Sequence, residues 1–186
     1  PPVAVVDRNV ESASDDFGKL TLVQSFKDGT AGADGLNGAR AVQVSPDGKN
    51  VYVAGQVDDA VAVFTRNDNP LSPTFGALTL LEVQQSPAVA GLDEPVALVI
   101  DPAGDSLYVA AANSNAITVF DRNAATGALT FLETLVDGVG SVDGLAGASS
   151  VAVSFDGEWV YATGENDDAV VIFDRDPGTG ALSFAQ

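Results

Sequence analysis

The sequence contains the same unit three times, with a partial copy before the first complete one. Tyr52, Tyr108 and Tyr161 mark the register of the copies and are 56 and 53 residues apart. Three phenylalanines keep the same two spacings: Phe64, Phe120 and Phe173. A period slightly above about 50 residues is typical of repeat architectures, in which each copy is one supersecondary unit. The repeat therefore constrains the fold more strongly than any local pattern does.

Each unit contains four short apolar runs separated by turn residues. In the last unit all four lie between Ser150 and Gln186. Short runs rich in β-branched side chains favour strands, and pairs such as Asp47-Gly48 and Asp156-Gly157 favour the tight turns between them. No apolar stripe with a period of about 3.6 residues is present, so the sequence predicts an all-β fold with essentially no helix.

Four antiparallel strands in a unit of this length describe one blade of a β-propeller. The sequence predicts whole blades at residues 41–83, 96–136 and 149–186. Residues 1–26 match the third and fourth runs of a unit and are predicted to form a half blade. The chain, 1–186, is thus predicted to be a single propeller segment of about three and a half blades, with four-stranded antiparallel sheets and no second domain.

A propeller segment of this size needs neighbours at both ends. Closed propellers have about four to eight blades, and an open stack leaves strand edges unpaired. We expect the chain to be part of a longer propeller, or to close a ring with another copy of itself. The first alternative is favoured because the incomplete blades of two copies do not complement each other.

Two segments resemble known propeller repeats. Ser45–Ala54 resembles the core of the YVTN-type repeat. Phe120–Asn123 followed by Thr126–Thr130 resembles the signature between the third and fourth strands of lactonase-like seven-bladed propellers. The resemblance covers nearly the whole chain and implies the propeller fold. For lactonase-like propellers it also implies a His/Glu/Arg-type polar cluster in the central channel, but the chain has no histidine to supply that member.

The net charge disfavours two classes of partner. The chain has 26 acidic and 8 basic residues, a formal charge of −18, which disfavours binding to nucleic acid or to anionic lipid. No stretch of about 18 unbroken apolar residues is present, so membrane insertion is not expected. Together with the resemblance, this acidity suggests an extracellular or cell-surface location in a bacterium or archaeon.

Carboxylates are concentrated in the turns between second and third strands. In a propeller these turns and the connectors between blades share one face, here called the connector face. Asp58, Asp59, Asp167 and Asp168 are the candidate ligands for Ca²⁺, the one cofactor that the sequence suggests, because Ca²⁺ prefers oxygen ligands. The alternative is that these residues only close tight turns.

Four arginines recur at equivalent positions just after the third strands: Arg8, Arg66, Arg122 and Arg175. A catalytic arginine is needed once and not in every blade. We therefore expect these side chains to pack their stems at blade edges and to bind nearby carboxylates or carbonyls.

The expected function is a non-catalytic extracellular scaffold that binds a protein or glycan through the acidic loops. This expectation leans away from an enzyme because, without histidine, the chain can carry neither a Ser-His-Asp triad nor a histidine-bound metal. Two alternatives stay open. The chain could be part of a lactonase-type hydrolase whose catalytic residues lie outside it, or a self-assembling repeat that pairs with further copies of itself.

Overall fold

The structure is a computed structural model that describes residues 2–11, 14–30 and 32–186. Pro1, Ser12 and Ala13 of the predicted half blade and Ala31 of the connector after it lie outside the described residues. The described residues form fourteen strands and no helix, which confirms the all-β prediction. Accordingly, none of these residues belongs to a helix capable of crossing a membrane.

The strands follow one another in four sheets. The half blade contains β1 (Val3–Arg8) and β2 (Leu20–Phe26). Blade 1 contains β3 (Ala39–Val44), β4 (Asn50–Gly55), β5 (Ala60–Arg66) and β6 (Leu78–Gln85). Blade 2 contains β7 (Pro95–Ile100), β8 (Ser106–Ala111), β9 (Ala116–Arg122) and β10 (Leu129–Val136). Blade 3 contains β11 (Ala148–Val153), β12 (Trp159–Gly164), β13 (Ala169–Arg175) and β14 (Leu182–Phe184). Within each sheet, every strand pairs antiparallel with the strands next to it in sequence, which confirms the predicted four-stranded blades.

The hydrophobic core lies between the blades. One cluster joins residues such as Tyr52 and Val61 of blade 1 to Leu98 and Leu107 of blade 2. An equivalent cluster joins blades 2 and 3, and a third joins the half blade to blade 1, where the Phe26 and Phe64 rings are 5.0 Å apart. Because blades 1 and 2 have a neighbouring sheet on both faces, their middle strands β4 and β8 consist entirely of buried residues.

The first strands of the blades line the central axis. β3 packs beside β7, and β7 packs beside β11. Each of these strands has a β-bulge at its start, at Arg40, Val96 and Ser149, which have no partner in the ladder. A bulge leaves one residue unpaired and changes the direction of its side chain. The same position in three blades thus faces the mouth of the channel.

Two of the recurrent arginines join neighbouring blades. Arg122 of blade 2 donates through Nε to the hydroxyl of Tyr52 in blade 1, at 2.7 Å. Arg175 of blade 3 donates through Nε to the hydroxyl of Tyr108 in blade 2, at 2.6 Å. Burial raises the pKa of both tyrosine hydroxyls. The prediction that these arginines are structural is therefore confirmed at Arg122 and Arg175, and also at Arg66, which donates to the Gly48 carbonyl at 3.2 Å.

Candidate functional site

Three ionisable side chains depart from the repeat and meet at the mouth of the channel. Arg40 stands where the other blades have Val96 and Ser149. Glu165 stands where they have Gln56 and Ala112. These residues and Glu94 line one cleft of about 400 Å³. In a repeat, structural residues recur in every copy, so polar residues that occur once and converge are candidates for chemistry.

Each blade contributes to this cleft from an equivalent place. The bulges of the first strands supply Arg40, Val96 and Ser149. The residues directly after the second strands supply Gln56, Ala112 and Glu165. These two sets are tied together, since residues after the second strand donate backbone hydrogen bonds to the connector just before the first strand, as Glu165 does to Gly147 at 3.1 Å. The backbone that carries the cleft is therefore the same in all three blades, and only the side chains differ.

Glu94 occupies a backbone conformation that normally favours glycine. Its φ is +56°, and the equivalent residues Gly38 and Gly147 have φ of +70° and +66°. A non-glycine residue in this region costs about 1–2 kcal/mol. Hydrogen bonds on both sides hold it there: the Glu94 amide donates to Asp59 Oδ1 and its carbonyl accepts from Ala112 N, both at 2.9 Å. Strained residues of this kind cluster at functional sites.

The charges of the cleft are available to a ligand. Arg40, Glu94 and Glu165 are all exposed. Arg40 forms no ion pair with any carboxylate in the described ranges. Gln56 is half-buried, and so is Ser149, whose hydroxyl lies 2.9 Å from Thr163 Oγ1. A guanidinium that is not neutralised by a protein carboxylate can bind an anion or stabilise a developing negative charge, and the two carboxylates can accept protons.

The structure does not bring the four predicted calcium ligands together. Asp58 and Asp167 occupy equivalent positions in blades 1 and 3, where they accept hydrogen bonds from Asn37 N at 2.9 Å and Ala146 N at 2.8 Å. Asp59 accepts the bond from Glu94 described above, and Asp168 has the same left-handed backbone, with φ of +51°. Within the described residues these four side chains thus brace connectors or end turns, and calcium binding stays a prediction.

One of the four does lie beside other carboxylates. Oxygen atoms of Asp28, Asp34 and Asp58 lie within 4.8 Å of one another. Burial and the neighbouring negative charges raise the pKa of Asp58, although the Asn37 amide acts in the opposite direction. The sequence did not predict this pairing of Asp28 and Asp34 with Asp58, because the contact spans a connector of irregular conformation.

Fold and cleft together define a class of protein: a β-propeller with a polar, ionisable cleft at the mouth of its channel. The chain belongs to the lactonase family of seven-bladed β-propellers, whose family model matches residues 6–143. This confirms the resemblance found in the sequence. The Arg and Glu members of the implied cluster have candidates in Arg40, Glu94 and Glu165, which sequence reasoning missed. Comparing the three units for polar residues that occur only once would have found them.

Individual relatives agree with the family. A Formosa agariphila protein named 6-phosphogluconolactonase is 34% identical over 105 residues, which are 54% of this chain and 27% of that protein. The structure of a periplasmic gluconolactonase from Pseudomonas aeruginosa matches with a TM-score of 0.64 and 25% identity, over 83% of this chain and 40% of that chain. A Lactobacillus plantarum protein matches in fold with a TM-score of 0.74 and 23% identity, over 100% of this chain and 48% of that chain.

Two conclusions follow from these comparisons. The chain spans about half the length of the solved structures that it matches, and about a quarter of the curated relative. The expectation of a non-catalytic scaffold is wrong, because the matched family is described as a lactonase and its relatives are named as lactonases. They favour the alternative, a part of a lactonase-type propeller hydrolase. The prediction of a scaffold was wrong because it treated histidine as necessary for an enzyme. Carboxylates can also transfer protons, and arginine can also stabilise negative charge.

Proposed function

We propose that the chain forms part of a lactone hydrolase and contributes Arg40, Glu94 and Glu165 to its active-site cleft. The convergence of these three non-repeating side chains at the mouth of the channel carries the proposal. The names of the relatives from Formosa agariphila and Pseudomonas aeruginosa support a sugar δ-lactone as the substrate class. Fold alone would not support it, because one fold hosts many functions.

In the proposed reaction, water attacks the carbonyl carbon of the lactone. A new C–O bond forms and the carbonyl oxygen becomes an oxyanion. Arg40 donates hydrogen bonds to that oxyanion, and charge stabilisation of this kind is worth about 100- to 1,000-fold in rate. The ring C–O bond then breaks, which gives the hydroxy acid.

A carboxylate takes the proton from the attacking water and returns it to the departing alkoxide. Glu94 is assigned this role because its backbone is held from two sides, so its carboxylate starts from a fixed point. Glu165, Gln56 and Ser149 line the same cleft and would hold the hydroxyl groups of the sugar. A general base contributes about 100- to 10,000-fold, so a lactone, which has a tethered leaving group, does not require histidine.

The test is hydrolysis of δ-gluconolactone and of its 6-phosphate by the purified protein, followed by titration of the released acid. Glu94→Gln and Arg40→Ala are each expected to lower kcat/KM about 100-fold or more. Glu158→Gln is the matched control, because Glu158 is an exposed carboxylate in the turn between β11 and β12, on the other face. Equal rates in Glu94→Gln, Arg40→Ala and the control would overturn the proposal.

A further inference from the structure

Asn37 and Gly38 form the one Asn-Gly pair of the sequence. Gly38 directly precedes β3, and Arg40 of the cleft is the second residue of that strand. Asn37 is exposed and Gly38 is half-buried. Because glycine has no side chain, its backbone nitrogen is more accessible to the preceding side chain than that of any other residue. In an Asn-Gly pair this nitrogen can therefore reach the amide carbon of the asparagine side chain.

In blades 2 and 3 the repeat holds the equivalent nitrogen. Glu94 and Gly147 stand at the position of Gly38. Glu94 N donates to Asp59 Oδ1 at 2.9 Å, and Gly147 N donates to Asn115 Oδ1 at 2.7 Å. Each acceptor lies in the turn between the second and third strands of the preceding blade. Hydrogen bonding to one protonation state favours that state, so a nitrogen held in this way keeps its proton and is a weaker nucleophile.

Blade 1 lacks this contact. Gly38 N donates no hydrogen bond to a residue that the structure describes. In sequence, the residue of the half blade equivalent to Asp59 and Asn115 is Pro1, which lies outside the described residues. A proline side chain offers no acceptor atom. Of the three equivalent nitrogens, the one that belongs to the Asn-Gly pair is thus the one without this interaction.

The side chain of Asn37 is free to move, whereas the backbone around it is held. Asn37 N donates to Asp58 Oδ2 at 2.9 Å, and Asn37 O accepts from Val57 N at 3.0 Å. Gly38 O accepts from Gln56 N at 3.2 Å. No hydrogen bond within the described ranges engages the side-chain amide of Asn37. This amide can therefore rotate towards a backbone nitrogen whose place is fixed.

The other two blades do not carry the reactive pair at this place. Blade 2 has Asp93 followed by Glu94, and the Asp93 carboxylate accepts a hydrogen bond from Asn113 Nδ2 at 2.6 Å. Blade 3 has Ala146 followed by Gly147. The backbone is the same in all three blades, so the pair in blade 1 can be compared with matched positions in the same molecule.

We propose that Asn37 is a site of spontaneous modification, at which the chain converts this asparagine to isoaspartate or aspartate. Three features carry the proposal: the Asn-Gly pair itself, the missing acceptor at Gly38 N and the unbound side-chain amide of Asn37. The modification needs neither a cofactor nor a second protein.

Water is the one co-reactant. Hydroxide removes the proton from Gly38 N, and the nitrogen attacks Asn37 Cγ. The bond between Cγ and Nδ2 then breaks, and Nδ2 leaves as ammonia after taking a proton from water. The cyclic imide that results is opened by water at either of its two carbonyl carbons. Attack at Cγ gives aspartate, and attack at the main-chain carbon gives isoaspartate.

Isoaspartate changes the backbone at the edge of the cleft. The main chain then runs through Cβ and Cγ of residue 37 and is longer by one carbon. Asn37 O, which accepts from Val57 N, becomes part of a carboxylate. The connector therefore shifts against Gln56 and Arg40, which both line the cleft. Either product also adds a negative charge next to Asp58, so we expect modified protein to have a lower Tm.

A fall in lactone hydrolysis during storage is the expected consequence for the cleft. This consequence rests on the proposed function, whereas the modification itself does not. Asn37→Gln is the variant that separates the two, because its side chain is longer by one carbon and forms the corresponding ring far more slowly. We expect the variant to keep its activity and its Tm under conditions in which the wild type loses both.

The test follows the mass of one tryptic peptide. Cleavage after Lys27 and Arg40 releases residues 28–40, in which Asn37 is the one amide side chain. The purified protein is incubated for days in mildly alkaline buffer and is then digested quickly under mildly acidic conditions. We expect the mass of this peptide to rise by the difference between O and NH, and an isoaspartyl methyltransferase to label it.

Blade 3 supplies a matched control. Ala146→Asn creates a second Asn-Gly pair on an equivalent backbone, since Ala146 N donates to the turn carboxylate of Asp167 just as Asn37 N does to its own. The glycine nitrogen of this second pair is held by Asn115. We expect the second pair to convert severalfold more slowly than Asn37 in the same molecule, and Asn115→Ala to remove much of the difference.

Two results would overturn the proposal. The first is an unchanged mass of residues 28–40 in the folded protein over the time in which the free peptide of that sequence converts. The second is equal conversion at Asn37 and at the pair made by Ala146→Asn, because the missing acceptor would then have no effect.

Lactone hydrolysis by fresh and stored protein separates this proposal from the proposed function. Conversion of Asn37 in a protein that hydrolyses no lactone when fresh would contradict the proposed function and leave the modification established. Hydrolysis that continues undiminished in fully converted protein would show that the modification does not reach the cleft.

Discussion

The guanidinium of Arg175 lies on the carboxylate of Asp101 across the interface of blades 3 and 2, with 3.0 Å between Nη2 and Oδ2. The two side chains are 4% and 1% exposed. The same arginine donates to the Tyr108 hydroxyl and to the carbonyl of Gly157 in its own blade, at 3.1 Å. Arg175 thus fixes the turn between β11 and β12 in its own blade, and it also fixes the position of blade 2 against blade 3.

Removing this arginine is expected to destabilise the chain strongly. Arg175→Ala leaves the carboxylate of Asp101 and the hydroxyl of Tyr108 without their charged partner, and breaking a buried pair from one side costs about 3–5 kcal/mol. The backbone amides of Asp105 and Ser106 still donate hydrogen bonds to Asp101 Oδ1, each at 2.8 Å, and so stabilise part of its negative charge. We therefore expect a loss of about 3 kcal/mol in the free energy of unfolding, measured by urea unfolding.

Arg66→Ala is the matched control. Arg66 stands at the same position in blade 1, but it stacks over Phe75 at 4.9 Å and donates to the Gly48 carbonyl at 3.2 Å. It holds no carboxylate in the described residues, so its loss is expected to cost about 1 kcal/mol, the scale of an exposed cation–π contact. Equal losses in the two variants would show that the ion pair between blades contributes nothing.

The tyrosine hydroxyl is expected to matter only where the next blade is present. In Tyr108→Phe the Nε donor of Arg175 and the carbonyl of Gly180, 2.8 Å from the hydroxyl, lose their partner. Leaving buried groups unsatisfied costs about 1–3 kcal/mol. Tyr161→Phe at the open face removes a hydroxyl without such partners and is expected to change stability by less than about 0.5 kcal/mol. A loss at Tyr161 as large as that at Tyr108 would contradict this account.

The raised pKa of Asp58 predicts a stability that depends on pH. Burial and the charges of Asp28 and Asp34 raise this pKa above its unfolded value, so the folded state favours the protonated acid. The contribution of the group is fully present below the unfolded pKa, near about 4, and is lost as the pH rises through the folded pKa. Asp58→Asn mimics the protonated form and keeps an acceptor for Asn37. It is expected to raise Tm at pH 7 and to have little effect at pH 3.

Asp167→Asn serves as the control in the same melts. Asp167 accepts the equivalent bond from Ala146 but lies outside the carboxylate group of Asp58. A gain in Tm that is equal in the two variants, or a gain for Asp58→Asn that persists at pH 3, would contradict the electrostatic cause. Millimolar Ca²⁺ in these melts also tests the calcium prediction, because a ligand of the folded state raises Tm. An unshifted wild-type midpoint would remove it.

The sequence was sufficient for the fold because the repeat fixes strand order, turn positions and the recurrent arginines at once. The spacing of Tyr52, Tyr108 and Tyr161 places one tyrosine at the same position in each blade, and blades 1 and 2 bury this side chain. Blade 3 exposes its tyrosine, because burial at this position depends on the next blade and not on the residue itself. The predicted partners and location stay predictions.

The candidate site was harder to predict because its ionisable residues are exceptions to the repeat. In the sequence, Arg40 is an isolated basic residue without an equivalent in the other units, and only the bulge in β3 directs it to the channel mouth. Glu94 is separated from Arg40 by 54 positions in sequence and from Glu165 by 71. The sequence pattern pointed instead to acidic pairs in turns as metal ligands. One of these residues, Asp59, accepts a hydrogen bond from the backbone amide of Glu94.

Restoring the repeat glycine at position 94 is expected to stabilise the protein and to abolish the proposed lactone hydrolysis. Glu94→Gly removes a left-handed conformation that costs about 1–2 kcal/mol, and the greater freedom of glycine in the unfolded chain offsets about 0.4–1 kcal/mol of that gain. The net gain, about 0.5–1 kcal/mol, corresponds to a Tm rise of roughly 1–4 °C for a chain of this size, measured by calorimetry alongside lactone hydrolysis. Gly38→Ala tests the same position in blade 1 in the opposite direction. Its Cβ would lie 2.7 Å from Val57 Cγ2 and 2.9 Å from Val57 N, so a loss of stability is expected. A Glu94→Gly variant that is less stable, or that retains activity, would show that this residue is kept for packing and not for chemistry.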